Sequence, residues 1–198
     1  MASKLNDNVE TALKYGKSLV GTPYLWWFAN EKGDDSTLHG GAPTYASNDP
    51  VPTLKHIREN GCSCTGLINL IRRKLRLPVP GIERNFKYSG GTWIWFHQLK
   101  KEKKLEPFDI TQKYPKGTLL LRNYTNPNDQ GHVAVVFSDN GDNILYEKLL
   151  HSYVNDPSPV PHAKVSPGVS IDKSIGKSHF WIDAGYYTHV CLPHNWLI

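Results

Sequence analysis

Asn60-Gly61-Cys62-Ser63-Cys64-Thr65-Gly66-Leu67-Ile68-Asn69-Leu70-Ile71-Arg72-Arg73 sets a cysteine where a turn gives way to an apolar helix. Leu67, Leu70, Ile71, Lys74 and Leu75 recur at helical spacing, Arg72, Arg73 and Arg76 fall outside that stripe, and Pro78 and Pro80 forbid continuation. The spacing predicts a helix from about Cys64 to Arg76. A thiol in its first turn meets unpaired backbone N–H groups and the positive end of the helix dipole, and both favour thiolate. The competing fate of such a thiol is that of a small buried hydrophobe. The helix start, the small Gly66 and a histidine further on favour a nucleophile instead.

That histidine lies in Gly131-His132-Val133-Ala134-Val135-Val136, at the start of a Val-rich strand beside a flexible glycine. A rigid element is where a base should be held. His97, His151 and His179 are less well placed for that role. A third group should orient the imidazole and select its tautomer. Glu147 is the first candidate, closing a strand expected to pair with that of His132, and Tyr146 and His151 are the substitutes.

Working outward, Leu5, Val9, Ala12, Leu13, Gly16, Leu19 and Val20 follow the capping candidates Asn6 and Asp7 as a first helix, ended by Gly21-Thr22-Pro23-Tyr24. Tyr24-Leu25-Trp26-Trp27-Phe28 is an aromatic cluster, and residues 30–52 form a long loop with no period. Trp93 to Lys104 reads as a third helix with Trp93, Phe96, Leu99 and Lys100 on one side. Residues 117–122, 132–137, 143–147 and 186–192 read as strands, with Asn140-Gly141-Asp142-Asn143 as a hairpin turn and 156–168 as an irregular loop. Helices first and an antiparallel sheet after them make an α+β pattern in a single domain over residues 1–198, with no internal repeat.

Gly21-Thr22-Pro23-Tyr24, the Cys64-Thr65-Gly66-Leu67 helix start and the Gly131–Val136 strand together resemble the NlpC-type cysteine peptidases, a papain-like α+β fold with N-terminal helices on a central antiparallel sheet. The order of motifs agrees over roughly residues 10 to 150. The Gly-His-Val-Ala-Val-Val strand and Glu147 are also similar to CHAP-type amidases. The resemblance implies hydrolysis of an amide in peptidoglycan stem peptides or a similar peptide substrate. Cys64 would be the nucleophile, His132 the base and Tyr24 a neighbour of the oxyanion site. Trp26 and Trp27 would line the substrate groove. Ser63 stands next to the nucleophile where the family usually has Asp, and the gap between Tyr24 and Cys64 is long.

Composition sets the outer bounds. The chain has 198 residues, 39% hydrophobic, 21% charged and 11% aromatic, the profile of a globular domain rather than a disordered or fibrous chain. The net charge of +5 would assist approach to an anionic polymer such as a cell wall. No nucleic-acid-binding signature accompanies it, so no nucleic-acid partner is expected. Three cysteines, Cys62, Cys64 and Cys191, are not a disulfide framework and suit a reducing compartment. No apolar leader is visible in residues 1–8, and no apolar run reaches the ~18 residues of a membrane span. The expectation is a protein made in a cytoplasm that acts there or leaves by a route without a leader. The proposed chemistry needs no cofactor. A zinc site of Cys62, Cys64 and His97 or His132 is disfavoured because Cys-x-Cys is shorter than structural zinc spacing.

Overall fold

Ser63 opens the cysteine helix. Its backbone is extended, and its hydroxyl accepts the N–H of Gly66 at 3.1 Å, which closes the first turn. The helix runs Cys64–Lys74 and is buried along almost its whole length, from Cys64 through Ile71 and again at Arg73. A computed structural model describes residues 2–25, 44–84, 89–123, 125, 131–138, 144, 148–154, 164–165, 167–173 and 186–198. In chain order its elements are α1 (Ala2–Ser18), β1 (Tyr24–Leu25), α2 (Leu54–Asn60), α3 (Cys64–Lys74), α4 (Thr92–Lys101), β2 (Glu106–Pro107), β3 (Leu119–Arg122), β4 (His132–Val136), β5 (Lys148–Val154), β6 (Lys164–Val165), β7 (Pro167–Lys173), β8 (His189–Cys191) and α5 (Pro193–Trp196). A 3-10 turn spans Ile82–Arg84.

Six strands form one antiparallel sheet in the order β2-β8-β3-β4-β5-β7, and β1 pairs separately with β6. The architecture is therefore α+β. Both faces of the sheet are covered. Leu119, Leu121, Val133, Val135 and Leu150 face the helices, packing with Leu67, Ile68, Leu70 and Ile71 of α3. Leu120, Ala134, Val136 and Leu149 turn to the other face, against Tyr114, Ile144, Tyr187 and Val190. Gly16 lets α1 approach β5: a Cβ there would stand 2.3 Å from Leu150 Cδ2.

Several elements depart from the sequence reading, each for a physical reason. α1 begins at Ala2 rather than after Asn6, and Val20 is exposed. α2 was not expected, because Ile57 alone of its residues is buried and it shows no apolar stripe. Its cap, Thr53, accepts the N–H of His56. α4 is rotated from the expected face. Trp93 is 45% exposed, while Ile94, Trp95, Phe96 and Leu99 are buried. Trp95 fixes that rotation by donating its indole N–H to Asn69 Oδ1 at 2.8 Å. Asn69 in turn donates to the carbonyls of Thr44 and Gly90. Arg73 does not face outward but gathers the carbonyls of Tyr45, Asp49 and Pro50.

The strand paired with β4 is Lys148–Val154, later than the expected 143–147. Of that expected strand Ile144 alone is described, in a 3-10 turn, and the Asn140–Asn143 hairpin turn lies outside the described residues. Leu149 and Leu150 are both buried, one on each face, so β5 carries no alternation to read. β7 begins inside the stretch expected to be irregular loop and pairs with β5 along its length, from Lys148↔Lys173 to Val154↔Pro167.

A candidate thiol–imidazole site

Residues 62–64 reach the central sheet at the seam between β4 and β5. Ser152 of β5 donates its hydroxyl to the Cys62 carbonyl at 2.9 Å. On the other side Cys62 bridges Tyr24: its N–H donates to the Pro23 carbonyl at 3.0 Å, and its carbonyl accepts the Leu25 N–H at 3.3 Å. The Gly21-Thr22-Pro23-Tyr24 turn thereby lies against the cysteine segment. The same turn is laced to β7, since Gly21 N–H donates to the Val169 carbonyl and Val169 N–H donates to the Thr22 carbonyl.

Ladder parity explains how Cys64 meets β4. Val136 N–H donates to Thr118 beside β3, and Phe137 N–H donates to Lys148 of β5. Alternation then turns the Val133 N–H toward β5. The β4–β5 register covers Val135↔Leu150 and Val136↔Leu149 and stops there, so Val133 lies past the end of the ladder. The Cys64 thiol receives the Val133 N–H instead, together with the Thr65 N–H and the Thr92 hydroxyl. Tyr24 also hydrogen-bonds to Cys64. Cys64 is 6% exposed, and burial raises its pKa above the ordinary thiol value despite those donors. Burial thus works against the thiolate expected from the helix N-terminus and outweighs the donors around the sulfur.

His132 opens β4, one residue before Val133, and is 5% exposed. Its Nε2 lies 3.4 Å from Nδ1 of the fully buried His151 on β5. His151 Nε2 lies 3.0 Å from Asp172 Oδ2 on β7, and Ser170 donates its hydroxyl to that same oxygen at 2.5 Å. The Tyr153 ring stacks on His151 with centroids 4.4 Å apart, and its hydroxyl reaches Asp172. Burial, with His151 alongside, pushes the His132 imidazole well below its usual pKa. The hydrogen bond with His151 holds the Asp172 carboxyl below the usual carboxylate value, against its partial burial.

Of the residues singled out in the sequence, Tyr24 and Ser63 lie beside Cys64, and Cys64 meets Val133, the residue that follows His132. Ser63 faces inward as the helix cap, 3% exposed, and its hydroxyl is 3.4 Å from that of Thr65. Trp26, Trp27, Glu147 and Tyr146 lie outside the described residues, as does His179. His151, one of the substitutes for Glu147, stands beside His132. His97 sits on α4 against Trp93, with ring centroids 4.3 Å apart. Cys62 is fully buried, its thiol pushed up to about 12 by burial.

The sequence reading missed Thr92, Ser170, Asp172, Tyr186 and Tyr187. Tyr186 and Tyr187 place their rings 6.0 and 6.1 Å from that of His132. The Arg122 guanidinium lies 4.6 Å over the Tyr186 ring. Tyr187 is buried, is electrostatically coupled to Cys64, and its hydroxyl has no hydrogen-bond partner among the described residues. The Val-Ser-Ile-Asp alternation of residues 169–172 was the available signal for Asp172.

Among the described residues no group of three His, Cys, Asp or Glu side chains is arranged to hold a metal ion, and no helix is long and apolar enough to cross a membrane. No protein-family model matches the chain, and neither characterised proteins nor solved structures give a match.

Proposed function

We propose that this chain is a cysteine hydrolase of NlpC-type, papain-like fold, in which Cys64 attacks an amide carbonyl, His132 is the base and His151 orients it. One observation carries the reading: the Cys64 thiol takes the N–H of Val133, the residue that follows His132 in β4. Nucleophile and base are thus attached to adjoining points of one rigid strand, and His132 leads on to a buried imidazole and a carboxylate.

The pair rests uncharged, with its proton on sulfur, since burial moves the two pKa values apart. At neutral pH His132 is a free base by protonation state. During attack the S–H proton passes to His132 as the C–S bond forms and the carbonyl electron pair moves to oxygen. The oxyanion is steadied by the Cys64 N–H and the Tyr24 hydroxyl, and the Tyr187 hydroxyl, which has no partner among the described residues, is a further donor. Collapse restores the carbonyl and breaks the C–N bond, and the amine leaves with the proton from His132. Water then gives a proton to His132 and attacks the thioester; the acid departs and the proton returns to sulfur.

The substrate class that fits the resemblance is a peptide amide, with peptidoglycan stem peptides first, and the +5 charge suits an anionic polymer. The test is incubation with purified stem peptides and mass analysis of the products. One hydrolysed amide, absent with Cys64→Ala, supports the assignment. Intact peptides from all stem-peptide types would remove peptidoglycan from it.

A second reading, transfer of the acyl group to an amine, is favoured by the near-complete burial of the thiol beside Tyr24 and Tyr187. Product formation that needs an added amine acceptor distinguishes it from hydrolysis.

A further inference from the structure

His132, His151 and Asp172 form a chain with one open question, the placement of its protons, and its carboxylate end answers it. An ionised carboxylate only accepts hydrogen bonds. Asp172 Oδ2, 3.0 Å from His151 Nε2, therefore requires a proton on that nitrogen. In neutral His151 the other nitrogen, Nδ1, then carries a lone pair. That lone pair faces His132 Nε2 at 3.4 Å, which is satisfied only if Nε2 carries the proton. The Nδ1 of His132 is left as its basic nitrogen. Each step follows from the one before, across three neighbouring strands, β4, β5 and β7.

We propose that Asp172 is a positioning residue that fixes the tautomers of both imidazoles, so that the Nδ1 lone pair of His132 is the base presented to Cys64. The consequence for Cys64 rests on the hydrolase reading above; the tautomer assignment does not. The ladder supports the chain at each link. His151↔Ser170 and Leu149↔Asp172 are register pairs, so His151, Ser170 and Asp172 project from the same face of the sheet. Ser170 donates to Asp172 Oδ2 and keeps the carboxylate ionised, while Tyr153 stacks on His151 and reaches Asp172 as well. Gly168 ties β7 down at the far end. Its φ is +73°, and a Cβ there would stand 2.0 Å from the Thr22 carbonyl oxygen, in the turn that leads to Tyr24. Asp172 is thereby held in register with the segment that carries the oxyanion tyrosine.

Long-range proton–nitrogen correlation spectra of histidine-labelled protein test the assignment directly. In wild type at neutral pH, both His132 and His151 are expected as the Nε2–H tautomer. Asp172→Ala should mix the tautomers of both rings and slow acylation of Cys64 about 10- to 100-fold, with KM changed less than about twofold. Ser170→Ala keeps the carboxylate and should keep both tautomers, which covers the case in which Asp172→Ala does not fold. An Nδ1–H tautomer on His132 in the wild type overturns the proposal, as do unchanged tautomers in Asp172→Ala. Wild-type tautomers as stated, in a protein that never acylates Cys64, uphold the positioning role and reject the hydrolase.

Discussion

The sulfur of Cys64 occupies the hydrogen-bonding position that β5 leaves open on Val133. A helix N-terminus is thereby inserted into a strand seam, and the thiol is held by the strand that begins with His132. The arrangement makes the site depend on the backbone path of β4, and the consequences can be measured.

Gly131 sets that path. Its φ is +73°, and a Cβ would lie 2.5 Å from the Arg122 carbonyl oxygen. A side chain in the left-handed region costs roughly 1–2 kcal/mol before any clash. Gly131→Ala is expected to destabilise by more than about 2 kcal/mol, lowering the melting temperature by about 5 °C or more. It should also slow acylation by displacing His132. Calorimetry on the purified variant checks this, and a melting temperature within about 2 °C of wild type would contradict it.

Tyr187 separates stability from activity. Its buried hydroxyl lacks a partner among the described residues, and such a group costs about 1–3 kcal/mol. Tyr187→Phe should therefore melt no lower than wild type, while acylation falls about 10-fold or more if the hydroxyl serves the oxyanion. A variant that melts lower and acylates at the wild-type rate would show that the hydroxyl supports the fold instead.

Stability should also respond to mild acid. Burial depresses the pKa of His132 in the folded state, so below the ordinary value of about 6.5 the unfolded chain binds a proton that the folded protein does not. Unfolding takes up that proton, and stability falls as pH drops from about 6.5 toward the depressed folded value. Asp172 acts in the same sense at lower pH, below about 3.9, where its depressed carboxyl begins to lose its contribution. Urea melts of wild type and His132→Gln at pH 7.5, 6.5 and 5.5 should converge in stability as pH falls. Parallel curves would contradict the burial of a neutral imidazole.

The sequence made half of this site legible. Cys64 could be found because a cap, a helical stripe and a small Gly66 are local signals, all within one turn of the thiol. His132 could be found because a glycine followed by a Val-rich run marks a strand start. His151 and Asp172 could not be placed with the same ease. β5 is buried on both faces and shows no period, and β7 emerges from a Pro-rich stretch that reads as loop. Their meeting is a cross-strand relationship, set by the β5–β7 register rather than by spacing along the chain. The burial that opposes a Cys64 thiolate was illegible for a different reason. Helix position is visible in a sequence, whereas desolvation depends on what the rest of the chain packs over the thiol.

The most direct test of the central claim is acylation of Cys64 by an activated ester. Wild type is mixed with p-nitrophenyl acetate at neutral pH, the burst of nitrophenolate is followed, and the acylated peptide is mapped by mass spectrometry. The account predicts one equivalent released with the acyl group on Cys64, no burst in Cys64→Ala, and a burst at least about 100-fold slower in His132→Ala. An adduct on another residue, or a Cys64 that acylates equally fast without His132, would contradict it.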